Sequence, residues 1–190
     1  LLYNVTYIIK EPTSRTFVSW HQDLTYWGFD GSDQVSAWLA LSPANSHSGC
    51  MQMIPGSHLE GTRDQETSDD PDNVLLQSQT ITNVDVSLAV SCELEPGQAS
   101  LHHGWTVHCS RPNLSEDRRI GLNAQYIRPS MRQTKSEKFE PNIGGNKQRV
   151  GDGGNHTEPL KNFQIHRHRN RPSRCTDWAG ASMPRFILKA

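Results

Sequence analysis

No run of about 18 consecutive apolar residues occurs in these 190 residues, so no segment is expected to cross a bilayer as a helix. No charged-then-apolar leader opens the chain either, and the expectation is a protein of the cytoplasm with no membrane partner. Cysteine is scarce: Cys50, Cys92, Cys109 and Cys175 stand far apart and form no Cys-x-x-Cys pair. That spacing argues against a zinc ribbon or a small disulfide scaffold and points to a reducing compartment. The apolar share is only 34%, low for a compact domain, so part of the chain is expected to pack poorly. Helical periodicity is missing before Ser130.

The net charge of -1 hides a split. Residues 1–131 carry 7 basic and 15 acidic side chains, a net -8, whereas residues 132–190 carry 12 and 5, a net +7. The chain therefore reads as a core over 1–131, beginning part-way into a longer protein, and a basic, Gly-rich, poorly ordered tail over 132–190. The tail's run His166-Arg167-His168-Arg169-Asn170-Arg171 is basic enough to attract nucleic acid. No aromatic platform or groove-reading helix accompanies it, so it reads as solvated and no nucleic-acid partner is expected. The acidic core speaks weakly against a strongly anionic substrate.

What is present before the tail is a series of short alternating stretches. Tyr3, Val5, Tyr7 and Ile9 alternate with Asn4, Thr6 and Ile8, the period of a half-buried strand. Further strands are expected over 17–28, 35–42, 50–54, 84–90, 99–103, 106–110 and 119–127, with Trp38 on the opposite face from its aliphatic neighbours. The turns Pro55-Gly56 and Glu95-Pro96-Gly97-Gln98 separate them. Residues 61–73 read as a long polar loop. Many short strands at such spacing mean an all-β sandwich or barrel.

One stretch carries chemistry. In an extended Trp20-His21-Gln22-Asp23, His21 and Asp23 share a face about 7 Å apart, so an imidazole and a carboxylate can close on one metal ion. His58-Leu59-Glu60 and His156-Thr157-Glu158 have the same form, but each follows a turn signal and reads as surface. The best candidate for a second histidine is His108, in Thr106-Val107-His108-Cys109-Ser110. Two histidines and one carboxylate with open positions suit non-haem Fe(II) oxygen chemistry.

Taken with Ala37-Trp38, Ile54-Pro55-Gly56-Ser57-His58 and Arg118-Arg119-Ile120-Gly121-Leu122, these motifs resemble the phytanoyl-CoA dioxygenase family of Fe(II)/2-oxoglutarate oxygenases. The resemblance runs from about Lys10 to Gln133. It implies a double-stranded β-helix, the jelly-roll or cupin-like fold, with His21, Asp23 and His108 as iron ligands, His108 rather than His103 because Ser110, Asn113 and Arg119 follow it at the family spacing. Arg119, eleven positions past His108, matches the arginine that pairs with the distal carboxylate of 2-oxoglutarate. Ser110 shares a strand face with His108 as a second donor to that carboxylate, and Trp38 and Trp27 match aromatic positions flanking the cosubstrate. Strand parity puts Arg119 on a face with Gly121, Asn123 and Gln125, and Arg118 on the other. The implied reaction uses Fe(II), 2-oxoglutarate and O2 to hydroxylate a C–H bond of a small molecule, releasing succinate and CO2. Related halogenases lack the carboxylate ligand; Asp23 is present, which favours hydroxylation.

Other readings use parts of the same pattern. A non-catalytic metal-binding jelly roll needs the triad but neither Arg119 nor Ser110. A zinc hydrolase can use two histidines and an aspartate to activate water, but has no use for a 2-oxoglutarate signature.

Overall fold

The computed structural model describes residues 1–75 and 78–134. The basic run, His156 and nearly all of the expected tail lie outside the described residues. Ten strands are described: β1 (Leu2–Lys10), β2 (Val18–His21), β3 (Gln34–Ala40), β4 (Met51–Met53), β5 (Glu66–Thr67), β6 (Gln79–Thr80), β7 (Val90–Cys92), β8 (Ala99–His103), β9 (His108–Ser110) and β10 (Arg119–Ile127). They form two antiparallel four-stranded sheets, ordered β1-β10-β3-β8 and β2-β9-β4-β7, and a small β5-β6 ribbon. The sheets pack as the expected double-stranded β-helix. Trp38 and Ala40 of one sheet meet Met51 of the other, with Ala44, Cys50 and Leu94 closing the cluster.

The polar half of the strand alternation faces inward. β3 buries Gln34, Ser36, Trp38 and Ala40, while Val35 is exposed and Ala37 and Leu39 are half-buried. β10 buries Arg119, Gly121, Asn123 and Gln125. Tyr3, Val5, Tyr7 and Ile9 of β1, with Leu101 and Tyr126, are exposed on the outer face, and the buried end of β1 is Lys10. Long register runs, Asn4↔Gln125 to Lys10↔Arg119 and Gly121↔Ala40 to Ile127↔Gln34, fix this parity along the larger sheet, after a register shift between Leu2 and Asn4.

Two local expectations are corrected. Residues 84–90 do not form one strand: Asp85 accepts from Ser87 N and caps a 3-10 turn, Val86–Leu88, and only Val90 enters β7. The alternation there leaves Val86 and Leu88 exposed. The polar loop after Gly61 contains β5, which pairs with β6. At the end of the described residues, Asp30 N donates to Arg132 O and Thr134 N to Gly28 O. Among the described residues no helix is long and apolar enough to cross a membrane.

Candidate active site

The site begins where β2 stops. His21, its last residue, pairs in register with His108, the first residue of β9. Sequence periodicity predicts that the strand continues to Gly28; the structure instead turns at Gln22. Asp23 has helical backbone angles, φ -57 and ψ -46, and precedes a short helix α1 (Leu24–Trp27), which Gly28 ends in the left-handed conformation at φ 59. Asp23 therefore reaches His21 through a turn, not by strand alternation. Gln22 fixes this turn: fully buried, its amide donates to Gly61 O at 2.7 Å and Trp105 O at 2.8 Å and accepts from Arg63 N at 2.9 Å. The long loop is thereby pinned against the turn.

His21, Asp23 and His108 each offer a ligand atom, all within 4.8 Å of one another. Asp23 Oδ1 lies 3.5 Å from His21 Nε2 and 3.8 Å from His108 Nε2. Each ring's Nδ1 is engaged by a carbonyl, Ser19 O for His21 at 2.8 Å and Thr106 O for His108 at 2.9 Å. A carbonyl only accepts, so both Nδ1 atoms carry the proton and both Nε2 lone pairs face the carboxylate, the tautomer a metal ligand needs. Burial, with the neighbouring His21, brings His108 down to about 3 and keeps it neutral. Burial raises Asp23, but the His102 N–H and the neighbouring His21 and His108 rings together outweigh it and hold the carboxyl well below its ordinary value. The donor set, two imidazoles presenting Nε2 and one carboxylate, fits a divalent metal ion.

A second group lies on the neighbouring strands. Arg119 is almost fully buried; its Nη1 donates to Gly49 O at 3.1 Å, and its guanidinium stands 5.2 Å from the Trp38 ring centre. Among the described residues its Nε has no hydrogen-bond partner and no carboxylate pairs with it. Burial brings it down to about 10. Arg118 lies outside, exposed, and pairs with Glu11 at 2.8 Å. A Cβ at Gly121 would overlap the Trp38 indole, so this glycine makes room for the tryptophan. Ser110 is buried in β9, and its carbonyl accepts from Lys10 Nζ at 3.2 Å. Trp27 sets its ring against Tyr3 and Phe29.

Other residues of this region were not legible as functional. Ser36 Oγ donates to Asp23 Oδ2 at 3.2 Å, and His102 Nε2 lies 3.8 Å from the same oxygen. His103 instead accepts from Trp105 N through Nδ1, and its ring lies 5.7 Å from that of His58, which is half-buried rather than free on the surface. Buried Asn113 donates to Lys10 O, Glu11 O and Asp117 O, fastening the approach to β10 onto the end of β1. The inward parity of β3 and β8 was the available signal for Ser36 and His102; Asn113 had none beyond its spacing from His108.

Residues 1–121 match the family model Phytanoyl-CoA dioxygenase (PhyH). The chain is 32% identical over 121 residues to phytanoyl-CoA dioxygenase 1 of Oryza sativa subsp. japonica, covering 64% of this chain and 42% of that protein. It is 33% identical over 118 residues to phytanoyl-CoA dioxygenase domain-containing protein 1 of Rattus norvegicus, covering 60% of this chain and 40% of that protein. It thus spans about four tenths of the length of these curated relatives. Among solved structures, the non-haem monooxygenase ThoJ superposes with a TM-score of 0.61 at 29% identity over 70% of this chain and 48% of that one. EvdO2 from Micromonospora carbonacea var. aurantiaca, complexed with 2-oxoglutarate, gives 0.59 at 26% identity over 72% and 57%. With a β-helix core that gathers two histidines and an aspartate, this chain belongs to the phytanoyl-CoA dioxygenase family, within the Fe/2-oxoglutarate oxygenases.

Proposed function

We propose that His21, Asp23 and His108 hold one Fe(II), that Arg119 and Ser110 hold 2-oxoglutarate beside it, and that the protein hydroxylates a C–H bond of a small molecule with release of succinate and CO2. The observation that carries this reading is the gathering of His21 Nε2, His108 Nε2 and Asp23 Oδ1 on one point, with both Nδ1 atoms occupied by carbonyls. Iron with three protein bonds and open positions supplies the oxygen-activating chemistry when 2-oxoglutarate is bound. The family relationship and the 2-oxoglutarate in EvdO2 support the same cosubstrate here.

The chain's own residues supply charge, orientation and dryness. Arg119 brings a permanent positive fork, buried and without a carboxylate partner among the described residues, which suits the distal carboxylate of 2-oxoglutarate. Trp38 lies beneath that fork and keeps water from it. The Gln22 amide ties the turn that carries Asp23 to the 61–63 loop and to Trp105, which holds the carboxylate in place.

Succinate release, measured with a library of small metabolites under air, tests the reading. The wild type is expected to couple succinate formation to hydroxylation of at least one compound, and Asp23→Ala to lose that coupling and bind Fe(II) more weakly. Full coupled turnover by Asp23→Ala would contradict the assignment.

A further inference from the structure

The two oxygens of Asp23 have different surroundings. Oδ1 faces the ring nitrogens of His21 and His108, whereas Oδ2 faces Ser36 Oγ at 3.2 Å and His102 Nε2 at 3.8 Å. Ser36 and His102 are cross-strand partners in the register of β3 and β8, so two adjacent strands deliver a hydroxyl and an imidazole to one oxygen. Ser36 Oγ itself accepts from Gln34 Nε2 at 2.9 Å, which turns its proton to the carboxylate. Ser36 and His102 are both buried, and His102 Nδ1 has no partner among the described residues. A buried N–H without an acceptor costs more than a bare lone pair, so the His102 proton belongs on Nε2, facing Oδ2.

Resting on the proposed iron triad, we infer that Ser36 and His102 are positioning residues that set how many oxygens Asp23 gives the metal. With Oδ2 hydrogen-bonded by the Ser36 hydroxyl and faced by His102 Nε2, Oδ1 is the oxygen left to the metal, and the carboxylate takes one coordination position rather than two. The position left open matters. 2-Oxoglutarate, binding through its keto oxygen and near carboxylate, needs two positions, and dioxygen needs one more. A carboxylate bound through both oxygens would use up the place for dioxygen. Ser36 and His102 therefore keep the oxygen site open without touching either cosubstrate.

Nitric oxide, a dioxygen surrogate, reports on that position through the electron paramagnetic resonance signal of its complex with Fe(II). The test compares wild type, Ser36→Ala, His102→Leu, the double variant and His102→Gln, each loaded anaerobically with Fe(II) and 2-oxoglutarate. Loss of a purely orienting bond to a metal ligand costs about 10–100-fold in metal affinity. Here the released Oδ2 adds a bond, so Fe(II) affinity in the double variant is expected to fall by less than about tenfold, while nitric oxide affinity falls by more than about tenfold. His102→Gln, which keeps an N–H donor, is expected to recover most of the signal. A double variant that binds Fe(II), 2-oxoglutarate and nitric oxide as the wild type does would overturn the inference, as would Fe(II) loss with nitric oxide binding intact in the loaded fraction. If the double variant does not fold, the single variants, each removing one donor, decide the question by the same two affinities. A wild type that takes up no Fe(II) overturns the triad itself, and this inference with it.

Discussion

Arg119 is the residue whose surroundings say most about what the interior is for. A guanidinium buried to this degree is costly unless an anion or a set of acceptors meets it, and the described residues supply one carbonyl and an indole face. A 2-oxoglutarate carboxylate would complete it. Removing a charge-assisted bidentate partner costs on the order of 2–4 kcal/mol, roughly 30- to 1000-fold in affinity. Arg119→Ala is therefore expected to lose that much 2-oxoglutarate binding in anaerobic titrations of the Fe(II)-loaded protein. Arg118→Ala, which removes only an exposed pair with Glu11, is expected to lose little. At the triad, His21 and Asp23 were legible while their geometry was not. Sequence spacing places the two side chains near one another under either a strand or a turn, and the turn is decided by Gln22, whose three partners come from the 61–63 loop and from Trp105. Those contacts have no local signature.

Among the elements, the paired ends of β1 and β10 set two cations side by side in the register Lys10↔Arg119. Lys10 Nζ donates to Thr16 O, Ser110 O and Arg111 O, tying the end of β9 to that of β1. Burial, then repulsion from Arg119, lowers the Lys10 ammonium to about 7 from an ordinary 10.5. The sign follows from proton counting. Between about 7 and 10.5 the unfolded chain holds this proton more than the folded one does, so folding stability rises with pH through that window. Urea unfolding at neutral and at mildly alkaline pH is expected to show this rise, and Lys10→Met to flatten it. In β10 itself, Gly121→Ala would force the Trp38 indole away from the strand. Overpacking of this kind costs about 1–3 kcal/mol, and the shift of Trp38 from beneath Arg119 is expected to weaken 2-oxoglutarate binding as well, seen by thermal melting and by titration together. Strand positions were largely readable from alternation, since β1, β3, β8 and β10 fall within a residue or two of expectation. The 84–90 stretch was not, because the capping bond of Asp85 to Ser87 competes locally with extension.

Across the molecule, the informative departure is which face is wet. Alternation in a sandwich ordinarily turns the aliphatic residues inward, yet here Lys10, Gln34, Ser36, His102, Arg119, Asn123 and Gln125 are buried beside Trp38 and Ala40, while Val5, Tyr7, Val35 and Leu101 are exposed. An interior that holds a metal and a dicarboxylate requires that inversion. An all-β sandwich or barrel could be expected from strand spacing, and the β-helix and the triad from the family resemblance, but the polar support around the triad, Gln22, Ser36, His102 and Lys10, comes from pairing between distant strands and from loops. The described chain is tied to the core as far as Thr134, and every residue given a role precedes that point. A chain ending at Thr134 is accordingly expected to retain Fe(II) and 2-oxoglutarate affinity within about threefold, a difference below about 1 kcal/mol, by anaerobic titration against the 190-residue protein.

Every role proposed for these residues depends on one Fe(II) sitting among His21, Asp23 and His108. A crystal structure of the protein loaded anaerobically with Fe(II) and 2-oxoglutarate would show it. Iron is expected bonded to His21 Nε2, Asp23 Oδ1 and His108 Nε2, with the distal carboxylate of 2-oxoglutarate on Arg119. Iron bonded to His102 or His103 in place of His108, or 2-oxoglutarate bound away from Arg119, would contradict the assignment.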